Sequence, residues 1–493
     1  MENKRTAGIL MPISSLPSNY GIGTLGKEAY KFVDFLVKAK QTYWQILPLG
    51  PTSYGDSPYQ SFSSHAGNPY FIDLDMLVED GLLSEKDLRG LNKSNKNYID
   101  YGFLYETRFK VLYKAYKNGF KKDINEFRGF IDNNPFICEY AFYMAIKEYF
   151  GMVSWIDWPD EDIRKRKPEV VEKYKKLLED KILFYEYIQF LFFKQFNNLK
   201  KYMNDLGIKL IGDVPFYIPL DSCDCWMNPE CFELDDNYVP KAVAGVPPDY
   251  FSADGQLWGN PLYNFEYMKS NGYKWWIDRI GSASKLYDVI RIDHFRGFES
   301  YWSVPFKDTT AKNGHWVQGP NMDLLNVLKG WFSNVDFIAE DLGYHTPGVQ
   351  YMLNEFGFPG MKILEFGFDS REKSNHAPHC YVENSVCYVG THDNSTVVGW
   401  LTAANKQDVK YALKYLGLKD ATDFNWAMIR TGMSSVSRTF IAQMQDYLGL
   451  DDRARINVPG TLGDNWKWRI AKGKLTNKLA NKIKEYTQMY ERC

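Results

Sequence analysis

Three acidic side chains stand at the ends of apolar segments that lie far apart in the chain. Asp293 follows VIRI, Glu340 follows FIA and Asp393 follows VCYVGTH. Short apolar runs rich in β-branched residues are typical of buried strands in a parallel sheet. In barrel and open α/β folds, the carboxyl ends of such strands display catalytic groups. We therefore expect the three carboxylates to meet around one opening.

Carboxylates grouped in this way could cleave a glycosidic bond. One carboxyl group protonates the leaving oxygen while a second faces the anomeric carbon. If the two lie about 5 to 5.5 Å apart, the second attacks directly and the configuration is retained. A third carboxylate can hold the sugar hydroxyls more tightly in the transition state than in the ground state.

The same residues are open to other interpretations. Three acidic side chains also suit a divalent metal ion. Against that, Arg291, His294 and His392 add cationic or donor groups where a metal needs acceptors. Arg291 and Asp293 could also form a buried ion pair with a purely structural role. The residue pattern alone leaves both carbohydrate chemistry and metal-assisted hydrolysis open.

Eight apolar segments separated by helical stretches predict a (β/α)8 TIM barrel, a fold of the α/β class. The expected strands are residues 8–14, 43–49, 210–218, 289–295, 337–342, 362–368, 386–393 and 455–459. The three carboxylates then follow the fourth, fifth and seventh strands. Because no repeat or low-complexity linker interrupts the chain, we expect residues 1–493 to form a single catalytic barrel.

The spacing of the strands predicts large insertions in the loops that follow them. Residues 76–205, between strands two and three, are expected to be mainly helical. Residues 219–285, between strands three and four, are loop-rich, with a lid loop at 244–264. Residues 396–452 are expected to be a helical insertion between strands seven and eight. Barrel enzymes build substrate walls and lids from such insertions. We expect no C-terminal β-sandwich domain.

The composition favours a neutral partner. Lys and Arg number 59 against 61 Asp and Glu, so the chain has no electrostatic footprint for nucleic acid or an anionic membrane. The 35 Tyr, 32 Phe and 14 Trp suit a protein that stacks on sugars, although a large core uses the same residues.

The N-terminus and the cysteines predict a cytoplasmic protein. The opening MENKRTAGILMPISSLPS is too short and too quickly polar for a signal peptide, and seven cysteines thinly spread suit a reducing compartment. Cys223, Cys225 and Cys231 do cluster, but a zinc site would need a fourth ligand at motif spacing. We expect ordinary reduced thiols, with no metal and no cofactor.

Several motifs together resemble a known family. RIDHFRGF, IAEDLG and VGTHDN are similar to the nucleophile, acid/base and third-carboxylate regions of the α-amylase clan. The closer likeness is to the amylomaltase (4-α-glucanotransferase) family, and it runs nearly end to end through GILMPISSLPSNYGIGTLG, GDSPYQSFSSHAGNPYFIDLD, IGDVPFYIPLDSCDCW and NVPGTLGDNWKWR. The Asn-His pair that hydrolytic amylases show after the residue matching Asp213 is missing here, which favours the narrower family.

The resemblance implies a role for each matching residue. Asp293 would be the nucleophile, Glu340 the acid/base and Asp393 the transition-state stabiliser. Arg291 would keep Asp293 ionised, and His392 would bond the hydroxyls of the cleaved glucose. The implied substrate-binding set is Ser57, Tyr59, Asp213, Asp249, Phe251, Trp258, Arg291, His294, His392 and Asn457.

Structural alternatives stay open for several members of this set. Tyr59 could pack at the barrel rim, and Asp213 could cap the turn that follows it. Phe251 and Trp258 could form the core of their own subdomain rather than arch over a ligand.

The function that the resemblance implies is transfer of α-1,4-glucan segments from a maltooligosaccharide, starch or glycogen chain to the 4-hydroxyl of an acceptor glucose or glucan, by a retaining double displacement. A hydrolase of the same clan and a non-catalytic glucan-binding protein are the alternatives. The sequence leaves open whether the protein is a monomer or a dimer.

Overall fold

A computed structural model of the protein describes residues 4–93, 97–248, 252–343 and 346–493. Twelve β-strands lie in these ranges: β1 (Thr6–Leu10), β2 (Tyr43–Gln45), β3 (Lys209–Val214), β4 (Ala242–Val246), β5 (Gln256–Pro261), β6 (Val289–Ile292), β7 (Ser300–Pro305), β8 (His315–Gln318), β9 (Asp336–Ala339), β10 (Gly360–Ile363), β11 (Ser385–Tyr388) and β12 (Thr439–Gln443).

Eight of these strands form the predicted barrel. They pair in parallel in the order β10-β11-β12-β1-β2-β3-β6-β9. The two ends of this order meet where the Ala339 N–H donates to the Pro359 carbonyl at 3.0 Å. The (β/α)8 fold expected from the sequence is therefore confirmed.

Side chains from every barrel strand fill the barrel interior. Alternate residues of a strand point to opposite faces, so one set points inward and the other packs against the surrounding helices. The inward set forms one apolar cluster of buried residues: Leu10, Tyr43, Ile211, Val289, Ile338, Met361, Ile363, Val386, Tyr388 and Ile441. Because the interior is filled, a ligand can reach the barrel only at its ends.

Helices surround the barrel and build its insertions. Their bounds are α1 (Lys27–Lys38), α2 (Leu74–Glu79), α3 (Tyr101–Gly119), α4 (Ile124–Asp132), α5 (Pro135–Tyr149), α6 (Glu161–Arg164), α7 (Pro168–Leu177), α8 (Glu179–Asp205), α9 (Cys223–Met227), α10 (Phe265–Ser270), α11 (Lys274–Leu286), α12 (Asn321–Trp331), α13 (Pro347–Phe356), α14 (Val397–Ala403), α15 (Lys406–Tyr415), α16 (Phe424–Ser434), α17 (Met444–Leu448) and α18 (Asn477–Met489). None of these described helices is long and apolar enough to cross a membrane.

The eighth barrel strand is not the segment that the sequence predicted. Residues 455–459 form no strand, and the strand is β12, which pairs with β1 and β11. Both segments are short apolar runs, and local pattern does not reveal which of them finds partners in the barrel. The expected insertion 396–452 is corrected accordingly, because it contains β12; helices α14 to α16 fill the interval between β11 and β12.

The sixth strand also differs from its prediction. The strand β10 ends at Ile363, and Leu364–Gly367 forms a single helical turn instead of continuing the strand to residue 368. Leu364 and Gly367 are buried in this turn, so burial accounts for their apolar character without a strand.

The insertions after β2 and β3 have different architectures. Helices α3 to α8 lie between β2 and β3, and α5 packs along the long helix α8. Between β3 and β6, the expected lid loop contains the hairpin β4–β5, which joins β7 and β8 in an antiparallel sheet ordered β5-β4-β7-β8. Asp249 and Phe251, which the sequence placed in the lid, lie outside the described residues.

Candidate active site

A buried arginine joins two carboxylates at the carboxyl ends of β3 and β6. Arg291 and Asp213 are each 2 % exposed. The Arg291 Nη1 donates to both carboxylate oxygens of Asp213 at 2.7 Å and to Asp293 Oδ1 at 2.9 Å. A buried guanidinium requires such anionic partners, because an unpaired charge would lose its hydration without compensation.

Glu340 lies beside Asp293 because the chain turns sharply after β6. His294 has a left-handed backbone, with φ at +47°. Its N–H donates to Glu340 Oε2 at 2.8 Å, while the Leu342 N–H donates to Glu340 Oε1 at 2.8 Å. The strands β6 and β9 are neighbours in the barrel, so Asp293 and Glu340 emerge next to each other.

The surroundings of Glu340 favour its protonated form. Burial and, second to it, the negative charge of Asp293 raise its pKa to about 8. The positive charge of Arg291 and the two backbone N–H groups oppose this shift without cancelling it. At neutral pH Glu340 therefore carries a proton that it can donate.

Tyr59 connects Asp213 to His392. Its hydroxyl lies 2.7 Å from Asp213 Oδ2 and 2.8 Å from His392 Nε2. Asp213 is ion-paired with the Arg291 guanidinium, and an ionised carboxylate can only accept hydrogen bonds. The Tyr59 hydroxyl therefore donates its proton to Asp213. The tyrosine oxygen then accepts from His392, which assigns the imidazole proton to Nε2. Burial raises the pKa of Tyr59 well above its ordinary value, so the hydroxyl stays protonated.

Asp393 completes the group from the loop after β11. The amide Nδ2 of Asn457 donates to its Oδ1 at 2.6 Å, and His392 Nε2 lies 3.4 Å from the same oxygen. The Asp393 side chain is 41 % exposed, so it projects into the open cleft. The carboxylates of Asp293 and Asp393 are thus joined through polar side chains alone.

Trp258 contacts the same cleft from the antiparallel sheet. It lies on β5, and its ring meets the His294 ring edge to face with centroids 4.8 Å apart. Tyr217 lies 6.2 Å from both rings. Burial lowers the pKa of His294 to about 4, so this imidazole is neutral and offers an apolar face beside the indole.

Comparison with known proteins places this geometry in a family. A family model described as 4-alpha-glucanotransferase matches residues 11–476. A 4-alpha-glucanotransferase from Clostridium butyricum is 50 % identical over 98 % of this chain and 100 % of its own length. One from Streptococcus pneumoniae is 49 % identical over 99 % of this chain and 98 % of its own. The chain belongs to the 4-α-glucanotransferase family.

A solved 4-α-glucanotransferase structure supports the fold as well as the family. The amylomaltase from Streptococcus agalactiae, determined in complex with acarbose, superposes with a TM-score of 0.97. It is 43 % identical, covering 99 % of this chain and 100 % of its own. The resemblance drawn from the motifs is thereby confirmed.

The structure brings the described site residues predicted for a 4-α-glucanotransferase into one cleft. Ser57 lies beside Tyr59, whose N–H donates to the Ser57 Oγ at 3.2 Å. Asp213 bonds Arg291 and Tyr59 rather than only capping a turn. Trp258 lies against His294, so it is not confined to a separate subdomain core. The chemical role of each residue stays a prediction.

Two site residues were missed from the sequence. Trp466 has its ring centroid 5.7 Å from that of Tyr59 and 6.0 Å from that of His392. Arg455 donates from Nη2 to the Asp393 carbonyl at 2.6 Å. Trp466 belongs to NWKWR, one of the motifs shared with the 4-α-glucanotransferase family, which was the available signal. The contact of Arg455 with Asp393 was not predicted, because residues 455–459 were expected to form a strand.

The cysteine cluster lies in the insertion after β3. Cys223, Cys225 and Cys231 are all buried, and burial raises the pKa of Cys231 to about 12. These thiols therefore stay protonated and unreactive at neutral pH. Within the ranges that the structure describes, His, Cys, Asp and Glu side chains form no group of three or more placed to hold a metal ion.

Proposed function

We propose that the protein transfers α-1,4-glucan segments by a retaining double displacement, with Asp293 as nucleophile and Glu340 as acid and base. The observation that carries this mechanism is the pairing of an arginine-bound carboxylate with a neighbouring carboxyl group of raised pKa. Environments that separate the pKa values of two adjacent acids assign one as nucleophile and the other as proton donor. The family membership supports the reaction class.

In the first step, Asp293 attacks the anomeric carbon of the donor sugar. Glu340 gives its proton to the glycosidic oxygen, so the bond breaks and the departing chain leaves with a free 4-hydroxyl. The glycosyl group is then held as an ester of Asp293. Arg291 keeps Asp293 anionic beforehand by pairing with it at 2.9 Å.

In the second step, the loss of charge at Asp293 changes Glu340. The negative charge of Asp293 helps to raise the pKa of Glu340. Once Asp293 is an ester, that contribution vanishes and the Glu340 carboxylate becomes a usable base. It accepts the proton of the acceptor's 4-hydroxyl, whose oxygen attacks the anomeric carbon and releases Asp293 with the original configuration restored.

We assign stabilisation of the transition state to Asp393. Its carboxylate would bond the hydroxyls of the reacting glucose more tightly as the ring flattens toward the oxocarbenium ion. The Asn457 amide, 2.6 Å from Oδ1, orients it for this task. His392, held by Tyr59, lies close enough to bond the same sugar.

Preference for a sugar acceptor over water has to come from the walls of the cleft. As a base, Glu340 can deprotonate either a sugar hydroxyl or water. Apolar rings that pack on a bound sugar leave less room for water at the anomeric carbon. Trp258 and Tyr217, which flank His294, are the described residues that supply such rings.

The substrates we assign are maltooligosaccharides and starch or glycogen chains as donors, with glucose or a glucan as acceptor. Acarbose, bound in the Streptococcus agalactiae amylomaltase, supports an α-glucan cleft. We also assign the protein to the cytoplasm, since all seven of its cysteines are free, as suits a reducing compartment.

Incubation of the purified protein with maltotriose tests the proposal. Glucose together with a ladder of longer oligomers is the expected result of transfer. Shorter products alone would identify a hydrolase, and binding without turnover would identify a glucan-binding protein. Asp293→Asn should abolish both transfer and hydrolysis, and surviving transfer would remove Asp293 as nucleophile.

A further inference from the structure

The geometry of Asp393 depends on hydrogen bonds more than on packing. The residue sits in the connection between β11 and α14, and its side chain is 41 % exposed. A half-exposed carboxylate can reach several rotamers. One rotamer is selected here by the Asn457 amide, which belongs to a segment 64 residues further along the chain. The Asn457–Asp393 contact therefore requires further interactions that fix the positions of the two segments relative to each other.

Arg455 bridges those two segments. Its Nη2 donates to the Asp393 carbonyl at 2.6 Å, and its Nε donates to the Asn457 carbonyl at 2.8 Å. Its Nη1 reaches Ser395 Oγ at 3.2 Å. The guanidinium thus contacts the main chain of both Asp393 and Asn457, whose side chains meet at 2.6 Å.

The planar guanidinium suits this geometry. Three of its donors point in fixed directions to three separate acceptors, which a single ammonium on a flexible stem cannot reproduce. The Asn457 N–H also donates to the His392 carbonyl at 3.1 Å. A single backbone hydrogen bond would allow the segments of Asp393 and Asn457 to move relative to each other. The hydrogen bonds of Arg455 restrict that motion.

Two carboxyl groups, those of the buried Asp446 and the half-buried Asp452, anchor the far end of the same connection. Asp452 Oδ1 accepts the Thr396 N–H at 2.8 Å, and Asp446 Oδ1 accepts the Val397 N–H at 2.9 Å. These N–H groups lie at the start of α14, where a helix leaves donors unsatisfied. The connection is consequently fixed at the end that leads into α14. Its middle, which carries Asp393, is held by the hydrogen bonds of Arg455.

The charge of Arg455 also acts on a buried carboxyl group, that of Glu365. Its positive charge lowers the pKa of Glu365, against burial and the charges of Asp446 and Asp452, which raise it. A Cβ added at Gly390 would come within 3.0 Å of Glu365 Oε1, so Glu365 packs directly against the residue that begins the connection. Burial, the largest influence, leaves the pKa of Glu365 well above its ordinary value. This side chain therefore supports the connection by packing rather than by attracting the guanidinium.

We propose that Arg455 is a positioning residue for the transfer reaction. It clamps the main chains of Asp393 and Asn457 together, so that the Asn457 amide selects the rotamer in which the Asp393 carboxylate meets the reacting sugar. This inference rests on the proposed function, because it acts through Asp393 as the third carboxylate. Arg455 itself does not contact the anomeric carbon.

The clamp affects the chemical step more than binding. Asp393 strengthens its contacts in the transition state, so its displacement raises the barrier while Tyr59 and Trp258 still hold the ground-state substrate. A misplacement of about 1 Å can cost on the order of 100-fold in rate. The loss should therefore be found in kcat, with KM little changed.

The test compares Arg455→Ala and Arg455→Lys with Arg453→Ala in maltotriose disproportionation. Arg453 is a matched control, two residues away, with a side chain that is 85 % exposed. We expect Arg455→Ala to lower kcat about 10- to 100-fold with KM within about twofold. Arg455→Lys should recover part of the loss, and Arg453→Ala should behave as wild type.

A double-mutant cycle separates positioning from folding. If Arg455 acts through the Asn457–Asp393 contact, Arg455→Ala combined with Asn457→Ala should be no worse than the more impaired single variant. The inference would be overturned if Arg455→Ala kept full kcat. It would also be overturned if the loss of kcat in Arg455→Ala added to that of Asn457→Ala and followed only the thermal unfolding midpoint. Asp393→Asn, measured beside them, tells the two proposals apart, because an active Asp393→Asn would overturn the role of Asp393 itself.

Discussion

At the scale of single residues, the proposed mechanism depends on the contrast between Asp293 and Glu340. Asp293 bonds the Arg291 guanidinium directly, whereas Glu340 accepts the backbone N–H groups of His294 and Leu342 and is half-buried. Two adjacent acids thereby have different surroundings, and those of Glu340 raise its pKa to about 8.

Glu340→Gln should lower the transfer rate about 100- to 10,000-fold, the usual contribution of general acid–base catalysis. In the wild type, kcat/KM should fall as the pH rises above 8, because the pKa of Glu340 is about 8 and the acid must be protonated to act. The variant should lose that alkaline limb.

Activity assayed from pH 5 to 10, with maltotriose and with α-glucosyl fluoride, checks this prediction. Fluoride leaves without protonation, so glycosylation by this donor should survive in Glu340→Gln. Glu355→Gln, on the exposed face of α13, is the control. An alkaline limb that persists in Glu340→Gln would assign the titration to another group.

Tyr59→Phe should reduce kcat/KM about tenfold, since it removes one hydrogen bond to a charged group and frees the His392 ring. The loss of the hydroxyl leaves Asp213 bonded to Arg291, so the fold should be retained. Steady-state kinetics on maltotriose measure the effect, with the 55 % exposed Tyr351 changed to Phe as control. Unaltered kcat/KM in Tyr59→Phe would show that Tyr59 only packs at the rim.

At the scale of elements, the antiparallel sheet supplies one wall of the cleft. The strand β5 alternates, so Trp258 points toward His294 while its neighbour Leu257, which is 36 % exposed, points to the other face. A strand presents a large ring more rigidly than a loop does. The sheet therefore connects the insertion after β3 to the reacting sugar.

Trp258→Ala should raise the share of hydrolysis among the products several-fold, because a smaller side chain admits water to the glycosyl-enzyme. The ratio of released reducing ends to elongated oligomers, taken from one maltotriose incubation, measures this share. Leu257→Ala is the matched control from the same strand. If the ratio in Trp258→Ala equals that of wild type, exclusion of water depends on other residues.

At the scale of the whole molecule, the first barrel strand, β1, pairs with the last, β12, and a buried arginine fastens that seam. Arg492 is fully buried. Its guanidinium donates to five backbone carbonyls, those of Thr6, Met433, Ser435, Ser437 and Arg438. These carbonyls lie on β1 and on the segment from the end of α16 to the start of β12, so one side chain satisfies acceptors from both sides of the seam.

Arg492→Ala should destabilise the protein by about 3 kcal/mol or more, because several buried carbonyls lose a charged donor. The thermal unfolding midpoint should fall by several degrees, and Arg492→Lys should fall less. Arg89→Ala, at an exposed position, is the control. A midpoint unchanged in Arg492→Ala would mean that water replaces the guanidinium without cost.

Local pattern was sufficient to place the three carboxylates at the carboxyl ends of barrel strands. Asp293, Glu340 and Asp393 each follow an apolar run whose side chains alternate between two buried faces, and that alternation is written in consecutive residues. The position of a polar group at the end of such a run, at the opening of the barrel, follows from strand geometry alone. The barrel and the position of its opening could therefore be predicted.

Contacts between distant residues were decided only in the folded chain. The bond from Tyr59 to His392 spans 333 positions, and that from Asn457 to Asp393 spans 64. The choice of β12 over residues 455–459 as eighth strand was of the same kind, since both runs fit a strand and only pairing with β1 and β11 separates them. Periodicity along the chain records which face a residue presents, but it contains no information on which partner meets that face.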